Sequence, residues 1–502
     1  MRKVQASARM TSTHLWELTT AVTVMALLVT MTWAAPKAFV PTLLLSWLFA
    51  PPPSLPPLPA FWLPCWLVPW APALDLVLVP AYLAASLLVL AAIARPPIMA
   101  QTLLRTLVLA VGLLGLAVVV PHERRLQPYT WELSWMLIGL GAVPRALPQV
   151  AGTASVRIIL AGVYLASGLG KLTSLFAGAF DFVIGPARTF LLASVMPGAS
   201  LLLAIIDRYG EAAAVVLEVG GGLVLLAASI GFWALAPGPP PPHSSHSLFV
   251  RVLDLAAAAV AAALVAMHLY IVVSLYAHGW NHAVWAWNLH HAALLALLWI
   301  APVLALSPDS DPASGIDDPA AKYRRRVNAH TSPPCHLLPV LDAYSSFVSP
   351  LAASAYFALL LAVALVIPLV GLYGGIPDPL RYNLYTGNTA SGVILTASMP
   401  AHGDTPAWPA PGSTEASLVH ADIGMLAISE YGVYDALTER RFFHTTAWLC
   451  TSAPLSPSSP VVSVSYVDAI PPFTYEPHPP RHPRVTSMSC TAWTARYGCP
   501  TS

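Results

Sequence analysis

Four residue types interrupt otherwise apolar runs in this sequence: lysine, glutamate, histidine and asparagine. A polar or ionisable side chain at membrane depth is costly, so each marks a candidate site. The first group is Tyr164-Leu-Ala-Ser-Gly-Leu-Gly-Lys171. Helical spacings of three, four and seven place Tyr164, Ser167, Gly168 and Lys171 on one face. A lysine buried in apolar surroundings can serve as a base. At the end of an apolar run, Lys171 can instead snorkel to a headgroup, with the glycines there for close helix packing. Glu218 lies well inside a later run, and Glu211 is seven residues before it on the same face. A carboxylate at the depth of Glu218 needs a partner, and Lys171 and Arg208 are the candidates.

The second group is His278-Gly-Trp-Asn281-His282-Ala-Val-Trp285-Ala-Trp287-Asn288-Leu-His290-His291, which joins two spans. Its tryptophans suit the membrane–water interface. Its histidines and asparagines suit the wall of a polar cavity. A metal would need further ligands, and no HExxH pattern or neighbouring carboxylate supplies them, so no metal is expected. The third group, Pro121-His-Glu123-Arg124-Arg125-Leu-Gln127-Pro128-Tyr129, reads as a charge-balanced interfacial loop. A catalytic serine, a phosphate-binding glycine loop and a DxD-type motif are not visible.

The elements that carry these groups are membrane helices. Hydrophobic residues make up 57% of the chain and charged residues 9%, with a mean hydropathy of +0.67. A soluble surface needs more charge than that. About 20 apolar residues cross the hydrocarbon core as a helix, because lipid offers the backbone no other partner. The expected fold is an all-α polytopic bundle of about nine or ten spans. Residues 1–306 form the bundle, 307–348 a polar linker, 349–373 the last span, and 374–502 a small extramembrane tail of α+β or β-rich character. Spans are expected near 74–94, 103–120, 158–172, 189–206, 212–235, 252–276, 283–306 and 350–373, with a weaker one near 131–143. The run from Trp16 to Ala35 reads as a retained first span, although a cleaved signal peptide has a similar pattern. Residues 39–50 read as a re-entrant or interfacial segment.

Lys322, Arg324, Arg325 and Arg326 place the linker in the cytoplasm and hence the tail on the opposite side. The stretches at 392–397 and 461–466 alternate and read as strands. Three of the five cysteines, Cys450, Cys490 and Cys499, lie in this tail. They allow a disulfide there, or stay free thiols. A net charge of +1 gives no basic stripe for nucleic acid.

Gly162-Val-Tyr-Leu-Ala-Ser-Gly-Leu-Gly-Lys171-Leu resembles the glycine–lysine helix of the vitamin K-dependent gamma-carboxylase-like superfamily, which includes DoxX-like bacterial membrane proteins. Glu218-Val-Gly-Gly-Gly-Leu and His278-Gly-Trp-Asn281 follow in the family's order. Arg125-Leu-Gln127-Pro128-Tyr129, Trp285-Ala-Trp287-Asn288 and the stretch from Pro377 to Asn388 are similar to patterns of its uncharacterised members. The family's lysine pair is Gly170-Lys171 here, and the tail has no recognisable counterpart of the carboxylase's lumenal domain. The resemblance implies that Lys171, Glu218, His278 and Asn281 are catalytic candidates around one cavity. Tyr164, Trp285 and Asn288 are then cofactor-binding candidates. The implied chemistry is quinone-linked or other lipid-soluble redox work, with Lys171 as the base. The alternative is a non-enzymatic membrane scaffold or assembly factor whose tail binds a protein partner. A transporter would show inverted repeats, and none is visible.

Overall fold

In the computed structural model, the described residues are 12–44, 48, 65–95, 101–122, 125, 127–143, 150–173, 176–193, 197–235, 246–278, 282–304, 355–371, 391–397, 421–422, 450, 461–467 and 484–497. The polar linker and the Pro377–Asn388 motif lie outside them. Ten helices make up the apolar part. They are α1 (Ser12–Val29), α2 (Ala71–Ala94), α3 (Gln101–Ala117), α4 (Pro128–Gly141), α5 (Val150–Gly170), α6 (Phe176–Ala193), α7 (Ala199–Leu235), α8 (His246–His278), α9 (His282–Leu295) and α10 (Ala355–Val370). Among the described residues, six stretches are long and apolar enough to cross a membrane: Thr13–Ala34, Leu67–Ala94, Ala151–Gly170, Ala199–Gly231, Phe249–Tyr276 and Val284–Leu304. This is the pattern of a multi-pass membrane protein.

Two sequence expectations are corrected. The spans expected at 189–206 and 212–235 are not separate, because α7 runs unbroken through the charged stretch between them. Those charges are used along the helix surface. Arg188 of α6 binds Asp181 at 2.7 Å and Asp207 of α7 at 2.7 Å, so the polar stretch joins two helices and is no loop. The weak span near 131–143 is α4, whose 14 residues cover only about 21 Å. That is short of the roughly 30 Å core, and nearly every α4 side chain is buried by neighbouring helices.

Helix ends inside the bundle are closed by side chains, as buried backbone carbonyls require. Trp16 Nε1 donates to Leu140 O at 3.2 Å, and the Tyr356 hydroxyl donates to Gly139 O. Arg125 is fully buried among side chains and carbonyls. Its guanidinium pairs with Asp75 of α2, and it donates to Ala38 O at 2.6 Å, Val118 O at 3.0 Å and Val40 O at 3.2 Å.

Three π turns occur among the described residues, at Thr30–Ala34, Ala296–Ile300 and Ala362–Val366. Each ends two residues before a proline: Pro36, Pro302 and Pro368. Proline has no N–H, so the carbonyl four residues earlier lacks its helical donor. For Pro302 that carbonyl is Leu298 O, and the Arg157 guanidinium of α5 donates to it. For Pro368 it is Ala364 O, which Gly162 of α5 admits by having no Cβ. Glycine serves close approach again between α5 and α7. A Cβ on Gly222 would lie 2.7 Å from Leu165 N, and one on Gly168 would lie 2.8 Å from Val219 N.

In the tail, four strands pair antiparallel in the order β2-β1-β3-β4: β1 (Ser391–Ala397), β2 (Ala421–Asp422), β3 (Val461–Val467) and β4 (Arg484–Met488). The two stretches read as strands from their alternation are β1 and β3. They pair along their whole length, from Ser391 opposite Val467 to Ala397 opposite Val461. Cys490 opens α11 (Cys490–Tyr497) and is disulfide-bonded to Cys450.

Candidate functional site

Helices α5 to α9 enclose a partly open cavity of about 140 Å³. Its wall is mostly apolar: Val163, Phe176, Phe180, Val183, Ile184 and Ile271. Into it come the polar groups Tyr164, Ser167, Lys171, Glu218, His268, Asn288 and His291. Tyr164, Ser167 and Lys171 arrive together because they share the face of α5 and its last turn. Glu218 arrives because Gly222 and Gly168 let α7 lie close against α5.

Lys171 Nζ is ion-paired with the Glu218 carboxylate and donates to Ser167 Oγ at 3.0 Å. Its ammonium also lies 5.7 Å from the centre of the Phe176 ring, which is cation–π distance. Lysine and glutamate are both about 6% exposed, so this is a buried pair at the cavity wall and no headgroup anchor. An ammonium has three hydrogens to donate. Glu218 and Ser167 take two.

A second set of polar contacts runs from the cavity wall to Glu132. Tyr164 Oη lies 2.5 Å from His268 Nε2 and 3.3 Å from His291 Nδ1. His268 Nδ1 lies 2.6 Å from Asn288 Oδ1, and Asn288 Nδ2 donates to Val284 O at 2.8 Å. His291 Nε2 lies 2.8 Å from Glu132 Oε1, and Trp287 Nε1 donates to Glu132 Oε2 at 2.7 Å. Every member of this set is buried. Buried polar groups in lipid-embedded protein must be satisfied by one another, and this set is closed by such contacts.

Of the residues expected from sequence, Lys171, Glu218, Tyr164 and Asn288 meet at this one cavity. Trp285, expected as a cofactor contact, does not line it. Its ring packs against those of Trp33 and Tyr276, with ring centroids 6.3 Å and 5.5 Å apart. Asn281 and the side chain of His278 lie outside the described residues. His291 belongs to the 278–291 group read as a polar cavity wall, whereas Glu132 and His268 have no place in the sequence reading. His268 and Glu132 are ionisable residues within apolar runs, and that alone was a usable signal. Among the described residues, no three His, Cys, Asp or Glu side chains are grouped to hold a metal ion.

Compared with known proteins, the chain matches no family model, no curated protein and no solved structure. Its site is therefore read from its own geometry.

Proposed function

We propose that this chain is an integral, multi-pass membrane protein that binds a lipid-soluble small molecule carrying a polar oxygen, of the quinone or phenol kind, and exchanges protons with it. The supporting observation is the convergence of the Lys171–Glu218 ion pair with Tyr164, His268, Asn288 and His291 on one cavity whose remaining wall is apolar. Concave sites with an apolar lining and a few convergent polar groups are the usual form of small-molecule sites. The motif order shared with the gamma-carboxylase-like superfamily supports the same reading. So does the run of apolar helices, in which α3 and α10 join the six longer stretches as spans.

Lys171 is the group that meets the ligand oxygen. Its third N–H is available for that oxygen, and Glu218 balances its charge in the dry wall. The pair acts as a unit: a ligand proton taken up here goes to Lys171 and Glu218 together. The base role that the resemblance implies for Lys171 is thereby shared with Glu218. Redox turnover of the ligand would supply the demand for such proton exchange.

The test is mass spectrometry of lipid extracts from the purified protein. A quinone or other oxygenated lipid enriched with the wild type and lost from Lys171→Met supports the reading. Identical extracts from the two proteins would overturn it.

A further inference from the structure

We infer that Glu132 is the cavity's proton store: Glu132, His291 and Tyr164 form an oriented wire that delivers one proton through the cavity wall to an oxygen anion bound beside Tyr164. This deepens the reading of the cavity as a proton-exchanging ligand site and rests on it. Glu132 itself does not line the cavity.

The direction of the wire follows from Asn288. Its Nδ2 donates to Val284 O, so Oδ1 is the atom that faces His268 Nδ1 at 2.6 Å. An amide oxygen only accepts, so His268 carries a proton on Nδ1. In the neutral ring Nε2 is then an acceptor, and the Tyr164 hydroxyl, 2.5 Å away, donates to it. The lone pairs of Tyr164 are left to accept from His291 Nδ1–H at 3.3 Å. With its Nδ1 occupied, His291 meets Glu132 through Nε2, and one proton lies between them across 2.8 Å. The donors therefore point from Glu132 through His291 to Tyr164, whose own O–H is held by His268 at the cavity wall. Asn288 closes the far end, because its oxygen takes no proton.

Transfer moves one proton along the chain and leaves Tyr164 with one O–H between two acceptor nitrogens, His268 Nε2 and His291 Nδ1. The Tyr164 hydroxyl turns its hydrogen from His268 Nε2 to the ligand oxygen, and its O–H bond breaks as an O–H bond forms on the ligand. The tyrosine oxygen takes the proton of His291 Nδ1. The proton shared with Glu132 becomes the N–H of His291 Nε2. Glu132 ends as a carboxylate accepting from His291 Nε2–H and from Trp287 Nε1–H, which is 2.7 Å away. Tyr164 ends neutral, and the ligand has gained one proton. The end state is the same whether the shared proton began on the carboxyl or on the imidazole. The second donor, Trp287, makes the charged end of the wire tolerable in a dry interior.

The experiment uses 4-nitrophenol, which is yellow as the phenolate and colourless as the phenol. The full-length protein in detergent is titrated at a pH where the free probe is phenolate, with proton uptake followed in weak buffer. The wild type is expected to bind the probe as the colourless phenol without taking a proton from the medium. Glu132→Gln keeps the hydrogen bonds to His291 and Trp287 but has no proton to give, so it is expected to bind the yellow phenolate. Tyr164→Phe, which keeps the ring and breaks the wire, is expected to do the same. A wild type that binds the phenolate, or variants that bleach the probe as the wild type does, would overturn the wire while leaving the ligand site standing. A wild type that does not bind the probe would overturn the site and the wire together.

Discussion

Breaking the Arg125–Asp75 pair gives the most demanding test of how this bundle is held. Both side chains are fully buried, and their contact is two-pronged, with Nη2 also 3.2 Å from Oδ2. Removing one partner of a buried ion pair costs about 3–5 kcal/mol, because a charge is left without its counter-charge. Asp75→Leu should cost about that much. Arg125→Met should cost more. It strands Asp75 and also removes the donors to the Ala38, Val40 and Val118 carbonyls, each worth about 1 kcal/mol. The total for Arg125→Met is then about 6–8 kcal/mol. The double variant removes both charges and leaves only the carbonyl loss, about 3 kcal/mol. Thermal unfolding in detergent, followed by tryptophan fluorescence, should therefore rank the double variant above Arg125→Met. Additive losses, with the double variant worst, would show that the two residues do not act as a pair.

The remaining predictions concern the cavity, the helix contacts and the tail. Lys171→Arg keeps a cation beside Glu218 but cannot give up its proton near neutrality; cellular complementation should fail with it as with Lys171→Met, and full rescue by arginine would make the residue a purely electrostatic partner. Gly162→Val drives a side chain into the Ala364 carbonyl and should destabilise the bundle by about 1–3 kcal/mol, or more if α10 is displaced, as read by detergent melting. Peptide mapping without reduction should recover Cys450 linked to Cys490; a bridge closing 40 residues should stabilise the tail by about 4 kcal/mol, so Cys450→Ser should increase proteolysis there. If the cationic linker is cytoplasmic, as its charge predicts, the tail should be protected from protease in sealed endoplasmic-reticulum vesicles, or labelled on intact cells after reduction if the protein is at the plasma membrane.

Sequence reasoning reaches the cavity from one side. Lys171, Ser167 and Tyr164 share a face by simple helical spacing, and a carboxylate at the depth of Glu218 must find a cation. Those two arguments need only local geometry and the cost of an unpaired charge, and the ion pair obeys both. The Tyr164–His268–His291–Glu132 contacts were not legible because their partners are 104, 127 and 159 residues apart. No local periodicity links such positions. Glu132 was further obscured because α4 is too short for a good span and looks like a failed one, when it is an interior helix. The α7 boundary was misread for a different reason. Asp207, Arg208 and Glu211 look like a loop by composition, yet a helix carries charges on one face wherever a neighbour such as Arg188 answers them. The strands β1 and β3 were legible because alternation is a local signal.

The π turn before Pro302 fixes the phase of α9. Such a turn admits one extra residue into the helix, and one residue is about 100° of rotation. Everything from Ala301 onward is thus turned relative to Trp287, Asn288 and His291, which face the cavity. If Pro302 were replaced by alanine, the new backbone N–H would be an ordinary helical donor to the Leu298 carbonyl and would compete with Arg157 for that oxygen. The helix could then wind regularly, and one end would have to swing by most of a right angle. The proline and the arginine, neither of which lines the cavity, together act as the index pin that holds Trp287, Asn288 and His291 at their bearing.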